Sequence, residues 1–230
     1  MTSQPRYAVY FMPCADSPLW QFGSRVLGYD AADPAGTPQP FDELRDAAAA
    51  GAFAEPARYG FHATLKAPFE LAAGADEADL LAAAAAFSAR KRAFGIGQIA
   101  VTQLDRFVAL TAVDRSNELH DFADRCVTEF EVFRAPLSIA DRERRLRSRL
   151  SAAAIANLDH WGYPQVFDLF LFHMTLSGPL EPDRRAPLHA LLEQLYAPVK
   201  SDVIIDGIAI FKQAARTTKF HVLRRFALGT

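Results

Sequence analysis

The segment Phe61-His62-Ala63-Thr64-Leu65-Lys66-Ala67-Pro68-Phe69 returns 111 residues later as Phe172-His173-Met174-Thr175-Leu176-Ser177-Gly178-Pro179-Leu180. Each copy sets a His and a Thr two residues apart in an apolar, strand-like run, so both side chains leave the same face of the strand. A neutral imidazole accepts a proton near neutral pH and an imidazolium donates one, the unperturbed pKa being about 6.5. Opposed across one phosphorus, His62 and His173 can do both jobs at once. One takes the proton of an attacking water or hydroxyl while the other protonates the departing oxygen. Thr64 and Thr175, beside them, can donate hydrogen bonds to the non-bridging oxygens where charge accumulates. Nothing in this scheme calls for a metal or a cofactor, and two His with two Thr make a poor ligand set without carboxylates.

The surrounding elements must bring the two copies together. Arg6 to Met12 is rich in aromatic and β-branched residues and reads as a strand stopped by Pro13. Ser17 to Leu27 has helical character, Asp30 to Pro40 reads as a loop, and Phe41 to Gly51 as a helix ended by glycine. Asp76 to Phe94 predicts a helix, acidic in its first turn and basic in its last. Gln98 to Val113 predicts two strands around a turn at Leu104-Asp105-Arg106. Helices are expected over Asn117 to Phe130, Ser138 to Leu158 and Pro182 to Leu195, and a strand, basic loop and strand over Val203 to Ala227.

The repeat extends beyond the motif. Ile99-Ala100-Val101 is echoed by Ile208-Ala209-Ile210, so the order motif strand, helix, strand pair occurs twice at nearly constant spacing. Two units of about 110 residues are too long and too few for a solenoid. They predict an α+β fold: a bilobal, pseudo-twofold single domain over 1–230, with antiparallel sheets flanked by helices and the site in a cleft between the lobes. The first motif and its repeat cover about 52–115 and the second about 165–230.

Composition bounds the function classes. The chain has 230 residues, 50% of them hydrophobic, which suits a substantial core. A formal net charge of −2 argues against coating nucleic acid or an anionic membrane. Cys14 and Cys126 are the two cysteines, too few for a disulfide framework or a cysteine metal site. The first residues lack a signal-peptide layout and no apolar run reaches about 18 residues, so a cytoplasmic protein without membrane attachment is expected.

The doubled His-x-Thr-Leu, in its extended forms H-A-T-L-K-A-P-F and H-M-T-L-S-G-P-L, resembles the two-histidine (2H) phosphoesterase superfamily. That superfamily includes RNA 2′,3′-cyclic phosphodiesterases and 2′-5′ ligase-like proteins. Together with the aromatic start at Arg6 to Met12, the forms look most like a bacterial branch encoded beside phosphonate-utilisation genes. The resemblance covers essentially the whole chain. It implies metal-independent phosphodiester chemistry with His62, Thr64, His173 and Thr175 as the active constellation. It delivers no substrate, although the family's gene context tilts toward a small phosphorylated substrate, a sugar-phosphate from phosphonate breakdown. The alternatives are RNA-end processing of 2′,3′-cyclic termini, and a nucleotide- or RNA-binding module without turnover.

The two copies differ after the motif. Period-2 alternation puts Lys66 on the face of His62 and Thr64, where it would give a phosphate or phosphonate a positive charge, and Ser177 a hydrogen bond. Tyr59 is expected at the cleft. Lys212, Arg216 and Lys219 read as a solvated loop, and Arg142 to Arg149 as an exposed helix face balanced by Asp141 and Glu143. His120, His160, His189 and His221 lack the motif context and read as structural or surface residues.

Overall fold

The computed structural model describes residues 4–229. In chain order its strands and helices are β1 (Arg6–Phe11), α1 (Pro18–Leu27), α2 (Arg45–Ala49), β2 (Ala63–Glu70), α3 (Glu77–Ala89), β3 (Phe94–Leu104) and β4 (Phe107–Ala112). There follow α4 (Asn117–Glu129), α5 (Ile139–Leu146), α6 (Ala152–Trp161), β5 (His173–Thr175), α7 (Pro182–Tyr196), β6 (Asp202–Ile205), β7 (Gly207–Gln213) and β8 (His221–Ala227).

Local chemistry sets the helix starts. Ser17, Asp76, Ser116, Ser138 and Ser151 each accept a backbone N–H three residues on, satisfying donors that the helix leaves open. At two helices the sequence reading failed. Ser138 to Leu158 is not one helix: Ser151 caps a second one, and the chain turns between α5 and α6. The helix expected to reach Phe94 stops at Ala89, because Ala93 N–H donates to Gly229 O at 2.8 Å and draws the segment into strand pairing.

The sheet has eight strands in the order β6-β3-β4-β5-β2-β1-β7-β8, every neighbouring pair antiparallel. The fold is thus α+β, an antiparallel sheet flanked by helices. The motif strands β2 and β5 are central neighbours, with Ala63 paired to Met174. Each hairpin lies on the far side from the motif strand that precedes it in sequence. β3 and β4, which follow β2, sit beside β5, whereas β7 and β8, which follow β5, sit beyond β1 on the β2 side.

The first of the strands expected over Val203 to Ala227 is two strands, separated by Asp206 alone. β6 pairs with β3 at one margin of the sheet, and β7 lies between β1 and β8 near the other. The sheet curls so that one run of chain serves both ends. Asp206 holds the crossing: its carboxylate accepts from Arg225 and from Cys14 Sγ, and its carbonyl accepts from Leu228 N–H.

One face of the sheet is covered by helices, α3 on β7 and β8, α4 on β2, and α7 on β3 and β4. Ala63 and Met174 point into this covered core. Glu77 of α3 accepts from Tyr7 Oη at 2.8 Å and from Lys212 Nζ at 2.6 Å, tying the helix to β1 and β7. The opposite face carries the motif side chains.

Candidate active site

Because strand side chains alternate, Ala63 and Met174 in the core send His62, Thr64, His173 and Thr175 to the other face. Carrying the Ala63–Met174 register one residue each way sets His62 opposite Thr175 and Thr64 opposite His173. The two histidines are then diagonal neighbours, their Cα atoms on the order of 7–8 Å apart. A phosphorus with its oxygens spans such a gap.

Each imidazole is fixed by the chain two residues before it. His62 Nδ1 lies 2.8 Å from Gly60 O and His173 Nδ1 lies 2.9 Å from Leu171 O. A carbonyl only accepts, so both rings carry their proton on Nδ1 and leave Nε2 able to take one. His62 lines two cavities over the sheet, and His173 is in the wall of neither. His62 Nε2 is 3.2 Å from Thr64 Oγ1, and its ring stacks on Tyr10 with centroids 3.7 Å apart. Burial pushes the His62 imidazole down to about 4, the bond to Gly60 opposing the fall and the charge of His173 adding to it. Burial also lowers His173, opposed by the bond to Leu171.

Gly60 is required for this geometry. Its φ is +77°, and a Cβ there would stand 2.7 Å from Ala31 Cβ. Gly60→Ala is expected to cost on the order of 1–3 kcal/mol in stability and to release the Gly60 carbonyl from His62. Thermal denaturation measures the first, and the pH dependence of turnover the second.

Two cavities meet over the centre of the sheet. One, of about 310 Å³, is mostly apolar, with Pro56, Tyr59, His62, Phe107, Thr175 and Pro179 in its walls. The other, of about 320 Å³, includes Arg6, Tyr10, Thr64, Arg144, Arg145 and Tyr163. His62, Tyr59 and Thr175 belong to both. Phe107 approaches His173 with ring centroids 6.0 Å apart.

The accessory residues divide. Tyr59 stands in both cavities, its ring stacked on Phe220 at 5.5 Å. Lys66 is placed elsewhere than the alternation implies. Tyr10 pairs with Thr64 but Val9 pairs with Lys66, so Leu65 is an extra residue and the bulge turns Lys66 to the helix side. There Nζ donates to Val127 O at 2.8 Å and to Glu131 Oε2 at 2.7 Å, and the residue is 3% exposed. The Lys66 ammonium is therefore committed to these two acceptors, and the residue is in the wall of neither cavity at His62.

Ser177 is also committed to the backbone. Fully buried at the foot of the apolar cavity, its hydroxyl accepts from Val108 N–H at 3.0 Å and donates to Gly178 O at 3.0 Å.

The structure adds residues to the site that the sequence reading left out. Tyr10 and Arg6 alternate along β1 onto the motif face. Arg144 and Arg145, read as a solvated run, reach the site because α5 is separate from α6 and tied down at its start. Asp141 accepts from Arg216 at 2.7 Å, and Arg142 donates to Asp159 of α6 at 2.6 Å. Arg216 also bonds Glu70 at 3.0 Å, and Lys212 is held by Glu77, so these two are ion-paired rather than free in a solvated loop. Lys219 lies over the Tyr29 ring, 4.2 Å from its centroid. Of the other histidines, His189 Nε2 meets Val101 O at 3.1 Å, and none of the four lines either cavity.

Among the described residues no group of three or more His, Cys, Asp or Glu is placed to hold a metal ion. None of the helices among them is long and apolar enough to cross a membrane.

A family described as protein of unknown function (DUF1045) matches residues 64–221. Two curated relatives are both named ribose 1,5-bisphosphate phosphokinase PhnN. That of Janthinobacterium sp. (strain Marseille) is 37% identical over 217 residues, covering 92% of this chain and 48% of the relative. That of Laribacter hongkongensis (strain HLHK9) is 34% identical over 226 residues, 95% of this chain and 51% of the relative. The chain spans about half the length of these relatives. Among solved structures, TT0787 of Thermus thermophilus aligns with a TM-score of 0.47 at 14% identity over 97% of each chain. E. coli LigT complexed with phosphate aligns with a TM-score of 0.45 at 13% identity over 100% of each.

Proposed function

We propose that this chain, which belongs to the family described as protein of unknown function (DUF1045), is a phosphoesterase that opens a cyclic phosphodiester or a related small phosphate or phosphonate ester. The observation that carries the reading is the pairing of β2 with β5, which sets two Nδ1-protonated histidines and two threonines on one face of the sheet.

The burial of His62, whose proton affinity the charge of His173 lowers further, supports His62 as the base and His173 as the acid. At a pH where one imidazole is charged, His62 is the neutral one, so its Nε2 takes the proton of the attacking water. The new P–O bond forms as the bond to the leaving oxygen breaks, and His173 Nε2–H supplies the proton that the leaving alkoxide needs. Water and one ester bond become a phosphomonoester and a free hydroxyl. His62 ends protonated and His173 neutral, and exchange with solvent resets both. The Thr64 hydroxyl, which rests on His62 Nε2, turns to a non-bridging oxygen when the ester enters, and Thr175 serves the other side.

The relatives' name supports a ribosyl phosphate as substrate, within phosphonate metabolism. The name also carries a phosphokinase activity, and this chain matches only about half of those proteins' length. No Gly-Lys-Ser/Thr phosphate loop occurs in its 230 residues.

A panel of cyclic phosphodiesters, with phosphorus NMR following ring opening, tests the reaction. The profile of kcat/KM against pH is expected to be bell-shaped with its maximum on the acid side of neutral. The acid limb is set by His62 near pH 4, and the basic limb by His173 below its ordinary 6.5. Activity therefore falls as pH rises through neutrality, because His173 loses the proton it must donate. A profile flat to pH 9 contradicts the acid role.

A further inference from the structure

Arg145 takes no part in the acid–base scheme, and its setting is unusual for a guanidinium. Its Nε is buried with no hydrogen-bond partner. Asp141, the carboxylate that acts on it, is already bonded by Arg216 and Arg144. The guanidinium rests over the Tyr163 ring, 5.2 Å from its centroid. Arg6, in the wall of the same cavity, spends its donors on the neutral Oε1 of Gln213 at 2.8 Å and 2.5 Å. Burial lowers the proton affinity of both guanidiniums, and further arginines, Arg216 for Arg6 and Arg144 for Arg145, lower it more.

Two half-buried cations without a carboxylate of their own are costly unless an anion completes them. Among the described residues, the cavity on the other side of His62 and Thr175 has no Lys or Arg in its wall, and Glu55 is its one carboxylate. The site is therefore anionic-group-seeking on one side only. A cavity of about 320 Å³ suits a small molecule.

The geometry points to a second anion subsite formed by Arg145, Arg6 and Tyr163, which holds a phosphomonoester carried by the same small molecule whose cyclic ester lies between the histidines. Arginine's planar fork matches phosphate oxygens in pairs, and a dianionic monoester satisfies both guanidiniums where a diester monoanion does not. This deepens the phosphoesterase reading and rests on it. The substrate class becomes a cyclic phosphodiester of a sugar that bears a separate terminal phosphate.

The test uses two ribosyl cyclic phosphates that differ only in a phosphate on the primary hydroxyl, assayed with the full chain and with Arg145→Gln. Wild type is expected to favour the phosphorylated compound by roughly tenfold or more in kcat/KM, the worth of one charge-assisted hydrogen-bonded contact. In Arg145→Gln the preference is expected to collapse to about unity, and Arg145→Lys to restore part of it. No preference in wild type, or an undiminished one in Arg145→Gln, overturns the subsite while leaving the hydrolysis standing. Should neither compound be opened, the hydrolytic reading fails and calorimetric Kd values decide the subsite. The same loss of preference in Arg145→Gln upholds it, and equal Kd values or no binding of the phosphorylated compound overturn it.

Discussion

Replacing His62 or His173 by alanine is expected to lower kcat on a cyclic phosphodiester by about 10²- to 10⁴-fold each, the usual worth of one general acid or base. KM should move by no more than about threefold, because the threonines and the cationic wall remain to bind the ester. The double variant should be little worse than the poorer single one, since base and acid act in the same step. His62 is held by Gly60 and Tyr10 at the cavity surface and not in the helix-covered core, so its removal leaves the fold in place; circular dichroism checks this. Undiminished turnover in either single variant sinks the mechanism.

The second large effect lies on the opposite face. Glu131 accepts from Lys66 Nζ at 2.7 Å and from Arg134 Nε at 2.9 Å, with the side chains of the two cations 4% and 13% exposed. Taking away that carboxylate strands two buried positive charges, and Glu131→Ala is expected to cost about 3–5 kcal/mol in urea unfolding. Lys66→Met should be far milder, because methionine fills the same space without a charge to satisfy. The pair also tests the bulge. If Lys66 is a structural cation under α4, Lys66→Met leaves KM unchanged, whereas a tenfold rise in KM would return it to the phosphate.

How far the sequence reveals the site follows from which physical rule governs each residue. The shared strand face of His62, Thr64, His173 and Thr175 was legible because strand alternation holds across the short stretch that contains them. Lys66, two residues further on, was not, because a bulge breaks the alternation and leaves no mark in an apolar-rich strand. Strand positions were likewise clear along β1, but only the register with β2 reveals that Tyr10 stacks on His62 and that Arg6 shares its face. Arg145 was hidden by a helix boundary. Without Pro or Gly at the break, Ser138 to Leu158 has continuous helical composition; the one signal was Ser151 standing before Ala152 to Ala154, a serine cap ahead of helix formers. The hairpin exchange across β2 and β5 is tertiary, and two similar repeats would read the same in sequence with or without it.

That exchange governs the order in which the molecule can be built. β1 is made before the other described strands, yet one of its two neighbours, β7, pairs with it through Arg6 and Gln213, more than two hundred residues later. As the chain leaves the ribosome, β1 keeps an unpaired edge until about two hundred further residues have been synthesised. Such long-range pairing makes slow folding the expectation. A chain cut between α4 and β5 should give no folded half, since the first hairpin is left without the motif strand it lies beside and the second without β1. The duplicated motif records two units in the sequence, but folding treats them as one.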